Sequence, residues 1–220
     1  MPQQWGLEAV KQEYAACKNA LPDPVRLRIH RSFSWLQQAV NSSDDDVKFM
    51  CLWVAFNAAY AKDLQSRLPS ADKVGFREFL QKVCRHQHQD LHHLVWDTYS
   101  QGIRNLLNNQ YVFQPFWDFH NGLVSEGAWQ EEFETAKKKS LRALKDNDTS
   151  TVLMVAFERI YTLRNQIFHG GATCGSQVNR MQLKCATGIL MDTIPLFLHT
   201  MLTHPNEAVW GKPYYPVVID

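Results

Sequence analysis

The sequence lacks the features that define several common protein classes. Its five cysteines are odd in number and never form a C-x-x-C pair, which argues against a disulfide framework or a zinc knuckle and favours a reducing compartment. The formal net charge of +1 provides no overall attraction to nucleic acid or to acidic membranes. No stretch approaches the roughly 18 uncharged apolar residues of a membrane helix, and no secretory signal is visible after Met1. We therefore expect a cytoplasmic protein with no membrane partner.

Sequence patterns of several enzyme classes are also missing. No Ser-His-Asp or Cys-His arrangement is apparent, and no glycine-rich phosphate loop follows a strand. Internal repeats are absent, and the period-2 alternation typical of strands is scarce. Helical apolar spacing instead runs through most of the 220 residues, of which 45% are hydrophobic, enough to bury a sizeable core. The sequence predicts an all-α protein, an antiparallel helical bundle forming a single domain over residues 1–220 with extra N-terminal and middle helices.

The predicted helices are separated by proline, glycine and cap signals. The last one contains Pro195 and is expected to bend there, and the tail from His204 is expected to lie extended on the surface. Two groups of polar residues, 41–46 and 146–150, combine cap side chains with acids that favour a helix N-terminus. The predicted helices cover residues 6–20, 24–40, 44–60, 72–85, 90–108, 115–120, 128–145, 150–169 and 177–202.

An aromatic stripe marks the third predicted helix as part of the core. Its members recur at helical spacing, which is typical of a buried face. Asn57 falls inside this stripe, and a buried amide has to be hydrogen-bonded. Its partner can be a nearby backbone group or a neighbouring functional site, and both alternatives stay open here. The stripe consists of Phe49, Trp53, Phe56 and Tyr60.

The most distinctive stretch is residues 164–171 (RNQIFHGG), at the end of a strongly apolar predicted helix. Arg164 lies on the core-facing stripe of that helix, where a guanidinium must be paired or must face a polar cavity. Asn165 and His169 are four residues apart and share one face. The two glycines predict a helix C-cap and leave room for a ligand or another backbone. A structural arginine with a capping histidine is the alternative interpretation.

The arginine-to-histidine spacing alone is a weak signal, because Arg85 and His92 satisfy a looser version of it. The context of residues 164–171 is more specific: a polar residue follows the arginine, the spacer is apolar, and glycines follow the histidine on the penultimate helix. In these features the stretch resembles the R-x4–6-H motif of the HEPN superfamily, whose domains are small all-helical bundles. The aromatic helix at residues 53–60 is similar to one that packs beside that motif. The resemblance covers about residues 44–66 and 150–203.

The resemblance implies a metal-independent ribonuclease that needs no cofactor. RNA would be cleaved by attack of its own 2′-OH, leaving a 2′,3′-cyclic phosphate and a 5′-hydroxyl. His169 would act as acid or base, Arg164 would hold the phosphate, and Asn165 would orient the phosphate or the histidine. Family sites usually form across a homodimer, so a composite site is implied.

The family also implies a role as a toxin or defence effector, with an antitoxin or regulatory protein as a further partner. Many relatives are catalytically silent modules that bind RNA, nucleotides or a protein, which is the alternative function.

Two other clusters of polar side chains are also candidates for a binding role. His88 and His92 have a spacing that can bind a transition metal on one helix face, which would suit a small metal-dependent hydrolase, although a solvated polar loop is favoured. The basic run from Lys137 to Lys145 follows three acids and is expected to be a solvated face with ion pairs. Lys138 in that run and Arg180 in the last helix are candidates for phosphate contacts, and Asn57 is a candidate neighbour of the site.

Overall fold

The computed structural model describes residues 6–61, 69–213 and 215. All regular elements in this described part are helices, which confirms the all-α prediction. Shorter turns of 3-10 helix occur at Lys18–Ala20, Gln110–Val112 and Ala208–Trp210. The α-helices are α1 Leu7–Cys17, α2 Asp23–Asn41, α3 Asp45–Tyr60, α4 Pro69–His86, α5 His88–His93, α6 Ser100–Leu107, α7 Gln114–His120, α8 Glu126–Lys145, α9 Thr149–Phe168 and α10 Arg180–Thr203.

Side-chain caps determine where two of the central helices begin. The Asp44 carboxylate accepts the Val47 N–H at 2.9 Å at the start of α3. The Asp148 carboxylate accepts the Thr151 N–H at 3.0 Å at the start of α9, and hydrogen bonds from the side chain and then the backbone of Thr151 lower the pKa of Asp148 below its usual range. Each cap satisfies a backbone donor that has no partner within its helix. Both N-termini predicted from the sequence are confirmed.

The chain divides into two compact units. The first unit comprises Met1–His88 and Thr187–Asp220, and the second unit comprises Gln89–Ala186. The prediction of a single domain over residues 1–220 stays a prediction. Of the predicted core segments, residues 62–66 lie outside the described residues.

The core of the first unit is built on the packing of α2 against α3. The buried Ser32 hydroxyl donates to the Ala55 carbonyl at 2.8 Å, which links the two helices. The ring of Phe56 packs 6.2 Å from that of Phe79 in α4 and 5.8 Å from that of Phe197 in α10. All four members of the aromatic stripe are buried, as predicted: Phe49, Trp53, Phe56 and Tyr60.

The tail contributes to this core, so the prediction that it lies on the surface is wrong for Trp210. The Trp210 side chain is only 1% exposed and packs 5.5 Å from the ring of Phe79. Its indole N–H donates to the His204 carbonyl at 2.7 Å. A large amphipathic ring gains more from burial than the short tail loses by becoming ordered. The prolines and tyrosines of the tail predicted an extended surface segment, so the sequence did not indicate that Trp210 is buried.

In the second unit, the helix predicted over residues 90–108 is broken. A π-helical turn covers Leu94–Thr98, and the Tyr99 N–H bonds to the Leu94 carbonyl at 2.8 Å. The Trp96 indole N–H donates to the Thr149 hydroxyl at 3.0 Å. This bond and the changed helical register turn Trp96 toward the start of α9. Such an interruption depends on tertiary contacts and leaves no periodic signal in the sequence.

Aromatic side chains form a separate core cluster in the second unit. The Phe116 and Trp129 rings meet edge to face, with centroids 5.2 Å apart at 86°. Phe133 completes the buried cluster, and Phe113 packs against it from the turn before α7. The cluster joins α7 to α8 and supports one side of α9.

The apolar length of α10 has to be weighed against its burial. By length and composition alone this helix is able to cross a membrane, with a mean hydropathy of 1.3 over its best window. Of that window 78% is buried inside the described structure, which is the pattern of a core helix. The helix continues through Pro195, at the position where a bend was predicted.

Candidate functional site

The end of α9 is closed by a Schellman motif. Gly170 adopts a left-handed conformation with φ of +73°, which favours glycine. Its N–H bonds to the Ile167 carbonyl at 3.1 Å, and the Gly171 N–H bonds to the Gln166 carbonyl at 2.7 Å. These two bonds satisfy carbonyls that the helix leaves free. The predicted glycine cap is confirmed, and it fixes the position of His169 as the capping residue.

Arg164 is half-buried near the end of α9. Its Nη1 donates to the Asn165 side-chain oxygen at 2.9 Å, and its guanidinium carbon lies 4.6 Å from the centre of the Phe168 ring. Its Nε is buried and has no hydrogen-bond partner among the described residues. Within the described part of the chain, no carboxylate pairs with this guanidinium. The positive charge is therefore held by an amide and an aromatic face, and it retains donors for an anion.

His169 is exposed at the C-terminus of α9. Its N–H bonds to the Asn165 carbonyl at 3.0 Å, so the backbone of Asn165 holds the histidine while its side chain holds Arg164. The exposed imidazole is accessible to a ligand, and its ring nitrogens can donate or accept a hydrogen bond. The structure therefore places an imidazole and a guanidinium on the same last turn and a half of one helix.

Gln166 supports this turn, a role that the sequence did not suggest. Its amide nitrogen donates to the Tyr111 carbonyl, and its amide oxygen accepts from the Asn179 side chain at 3.2 Å. Asn179 itself has a left-handed backbone, with φ of 59°. Gln166 thereby ties the end of α9 to the turn before α7 and to the loop before α10. The amide stands inside the motif, but nothing in the sequence indicates its distant partners.

The remaining predicted site residues differ in their surroundings. Asn57 belongs to the first unit and is half-buried rather than enclosed in the core. Arg180, in the second unit, donates through Nε and Nη2 to the Ser176 carbonyl at 2.9 and 2.6 Å, so it closes the loop before α10. Lys138 is exposed on α8. Their predicted contacts with RNA stay predictions.

Some members of the basic run and of the histidine cluster contact neighbouring acids. Lys137 pairs with Glu134 at 2.9 Å, and Arg142 lies 3.6 Å from Asp146, as expected of a solvated helix face. In the histidine cluster, His93 Nδ1 lies 2.7 Å from an Asp97 oxygen. A metal role for His88 and His92 stays a prediction.

In the first unit, His86 belongs to a small charged group. Its Nε2 lies 3.1 Å from a Glu207 oxygen, and its ring stacks on that of His204 with centroids 3.8 Å apart. Lys82 pairs with the same carboxylate at 2.8 Å. Lys82 and His86 lower the pKa of Glu207 by hydrogen bonding to its charged form.

The sequence interpretation missed Arg159, one turn before the motif on α9. This side chain is only 4% exposed. Its Nε and Nη2 are buried without a hydrogen-bond partner among the described residues. It lies four positions after the buried Val155 and four positions before the buried Leu163. The sequence does contain a signal for Arg159, because a charged residue on the apolar face of a helix is unusual. The same signal indicated Arg164.

No protein family, curated protein sequence or solved structure matches this chain. The residues of the site themselves indicate what chemistry it can perform. Arg164 can bind a phosphate or carboxylate, His169 can give or accept a proton, and Asn165 positions both.

Proposed function

We propose that this protein is a metal-independent endoribonuclease of the HEPN type. The observation that carries the proposal is the state of Arg164, a half-buried guanidinium paired with an amide instead of a carboxylate. A structural arginine in that setting would ordinarily be neutralised by an acid. Asn165 leaves the positive charge of Arg164 uncompensated, which suits the binding of an anionic substrate such as an RNA phosphate.

The arrangement supports cleavage by the 2′-OH of the RNA itself. One imidazole removes the proton of the 2′-OH as this oxygen attacks the adjacent phosphorus. A second imidazole donates a proton to the departing 5′-oxygen, and a 2′,3′-cyclic phosphate forms. Arg164 stabilises the added negative charge on the phosphate oxygens during the transfer. Because the motif has one histidine per chain, two copies of His169 would supply the acid and the base.

A homodimer is therefore part of the proposal. Exposed apolar side chains near the end of α9 support it: Phe168 is 40% exposed, Val178 77% and Met181 65%. Asn179, between Val178 and Met181, bonds to Gln166 in the motif helix, so these side chains belong to the surroundings of the motif. Apolar groups of this size in water are typical of a surface that is covered in an assembly.

Outside the catalytic pair, Lys138, which is exposed on α8, would contact phosphates along the RNA. Arg180, in the same unit as the motif, would support the bound strand. We place the protein in the cytoplasm as a toxin or defence effector that is restrained by an antitoxin or regulatory protein, on the resemblance to the HEPN superfamily.

The test is incubation of the purified protein with labelled RNA in EDTA. We expect fragments with 2′,3′-cyclic phosphate and 5′-hydroxyl ends, and we expect His169→Ala to abolish them. His30→Ala is the matched control, because His30 is an exposed histidine of the first unit and should retain full activity.

Two outcomes would contradict the proposal in different ways. RNA that stays intact but binds to the wild type, and more weakly to Arg164→Ala, would indicate a silent binding module. Cleavage that EDTA removes would indicate the metal-dependent hydrolase, and His88→Ala should then lose it.

A further inference from the structure

The second unit contains a groove of about 510 Å³ between α8 and α9. This volume is within the range of small-molecule sites. One wall is formed by α8, the other by α9, and Phe113 from the turn before α7 closes one end. The groove is lined by Phe113, Ala128, Glu131, Glu132, Thr135, Ala136, Lys139, Val155, Glu158 and Arg159.

Arg159 is the buried lining residue with a charge. Its guanidinium carbon lies 4.3 Å from the centre of the Phe113 ring and 5.8 Å from that of Phe133. These rings attract the cation through their faces but offer no hydrogen-bond acceptor. Burial lowers the pKa of Arg159 to about 10. Burial thus disfavours the charged form, the nearby charge of Glu158 partly offsets this, and no described residue accepts a hydrogen bond from Nε or Nη2.

The unpaired atoms of Arg159 are the two that bind a carboxylate most effectively. Nε and Nη2 lie on one edge of the planar guanidinium, where their N–H bonds run parallel and match the two oxygens of one carboxylate. Both are buried without a partner among the described residues. A ligand in the groove reaches this edge only after the guanidinium rotates, and no hydrogen bond from Nε or Nη2 to a described residue opposes that rotation.

The rim of the groove restricts the class of anion. The groove is lined by three exposed glutamates, Glu131, Glu132 and Glu158, and by one lysine, Lys139. A phosphate chain carrying several negative charges would be repelled by three carboxylates. A molecule with one carboxylate and one ammonium would satisfy both parts of the groove, because its carboxylate would reach Arg159 and its ammonium would meet the glutamates.

We propose that this groove binds a small zwitterion, of which a free α-amino acid is the simplest form. The carboxylate pairs with Arg159, the ammonium lies among the rim glutamates, and the side chain packs on Phe113 and Val155. The groove is formed by residues other than Arg164, Asn165 and His169, so this proposal does not depend on ribonuclease activity.

The experiment is a thermal-shift screen of the full chain against the twenty free α-amino acids, followed by calorimetry. We expect at least one amino acid to raise the melting temperature, and its C-terminally amidated counterpart, which lacks the carboxylate, to bind at least about tenfold more weakly. Inorganic phosphate at the same concentration should produce no comparable shift. No stabilising amino acid, or a larger shift with phosphate, would overturn the proposal.

Variants separate the groove from other surfaces. Arg159→Met keeps an unbranched apolar side chain but removes the guanidinium, and it should abolish amino-acid binding while the unliganded protein melts at a higher temperature. Thr135→Trp should block binding by filling the groove while Arg159 stays in place, which keeps the test decisive if the first variant fails to fold. Arg142→Met, on the exposed face of the same helix α8, should bind normally. Binding that survives both groove variants would contradict the inference.

Discussion

Arg28 in the first unit and Arg159 in the second unit are both buried arginines whose pKa is lowered to about 10 by burial. They differ in what surrounds them. Nη1 of Arg28 donates to the carbonyls of Ala59 at 3.3 Å and Ala61 at 2.6 Å, and its Nη2 donates to that of Lys212 at 2.8 Å. Arg159 lies against aromatic rings that accept no hydrogen bond.

This difference shows how a buried guanidinium can serve either the fold or a ligand. Arg28 collects carbonyls left free at the end of α3 and in the tail, so its charge joins two segments of the first unit. Arg159 packs on two aromatic rings, its Nε and Nη2 bond to no described residue, and the residue lines a groove. Arg164 is intermediate: it is half-buried, is held by one amide, and is adjacent to an exposed histidine. The number of acceptors around each arginine is the basis for separating their roles.

The largest expected effect concerns Arg164. Arg164→Ala should reduce RNA cleavage by about 10²–10³-fold, the loss that follows removal of one group that stabilises developing charge. Its free energy of unfolding should change by no more than about 1 kcal/mol, since a cation–π contact and one part-buried hydrogen bond between neighbouring residues are lost. Cleavage assays and urea unfolding on the same preparation measure the two quantities. A large loss of stability together with activity would place Arg164 in the same class as Arg28.

The contrast between the two buried arginines predicts opposite changes in stability. Arg28→Met should lower the free energy of unfolding by about 2–4 kcal/mol, because buried carbonyls lose their donors. Arg159→Met should raise it by about 1 kcal/mol, because an unpaired buried charge is removed. Arg142→Met, at an exposed position, should stay within about 0.5 kcal/mol of the wild type. Urea denaturation of the three variants measures these differences. Equal losses of stability for the Arg28 and Arg159 variants would show that both arginines stabilise the fold.

A smaller effect is expected from Asn165→Asp. The substitution has nearly the same shape but places a carboxylate where the amide oxygen accepts from Arg164. An internal ion pair would then compete with the phosphate, and we expect cleavage to fall about tenfold for a competing interaction of about 1.4 kcal/mol. A titration of RNA binding against salt should show a weaker phosphate contribution in this variant. Unchanged cleavage would mean that Arg164 does not need its charge free.

The smallest effect concerns Glu207, whose charge lies in a more open setting. Lys82 and His86 lower its pKa below the ordinary value of 4.5. A carboxyl with a lower pKa in the folded state stabilises the fold above 4.5 and loses this contribution as pH falls through the folded pKa. The difference in unfolding free energy between the wild type and Glu207→Gln should therefore be full at pH 6 and shrink once pH falls below 4.5 toward the folded pKa. A difference that persisted at acid pH would point to packing instead of charge.

Several features of the site were predictable because they depend on short-range rules. Cap side chains at Asp44 and Asp148 and the glycine at position 170 mark helix ends through bonds that span only a few residues. The aromatic stripe of α3 was recognisable because burial imposes a helical period. The position of Arg164 and His169 on the last turns of α9 follows from the same rules.

Other features escaped prediction because their causes lie far away in the chain. The break at Leu94–Thr98 accompanies the bond from Trp96 to Thr149, 53 residues later. The burial of Trp210 requires Phe79, and the support of the motif by Gln166 requires Tyr111 and Asn179.

The sequence by itself determined that this protein is helical, where most of its helices begin and end, and that a cation and an imidazole occupy the end of α9. The hydrophobic period and the helix caps depend on residues that are close together in the chain, so the sequence is enough to predict them. Tertiary structure alone decided how each arginine is used. Whether a guanidinium meets carbonyls, an amide or only rings depends on which distant segments pack around it, and hydrogen bonds satisfied across long loops leave no pattern along the chain.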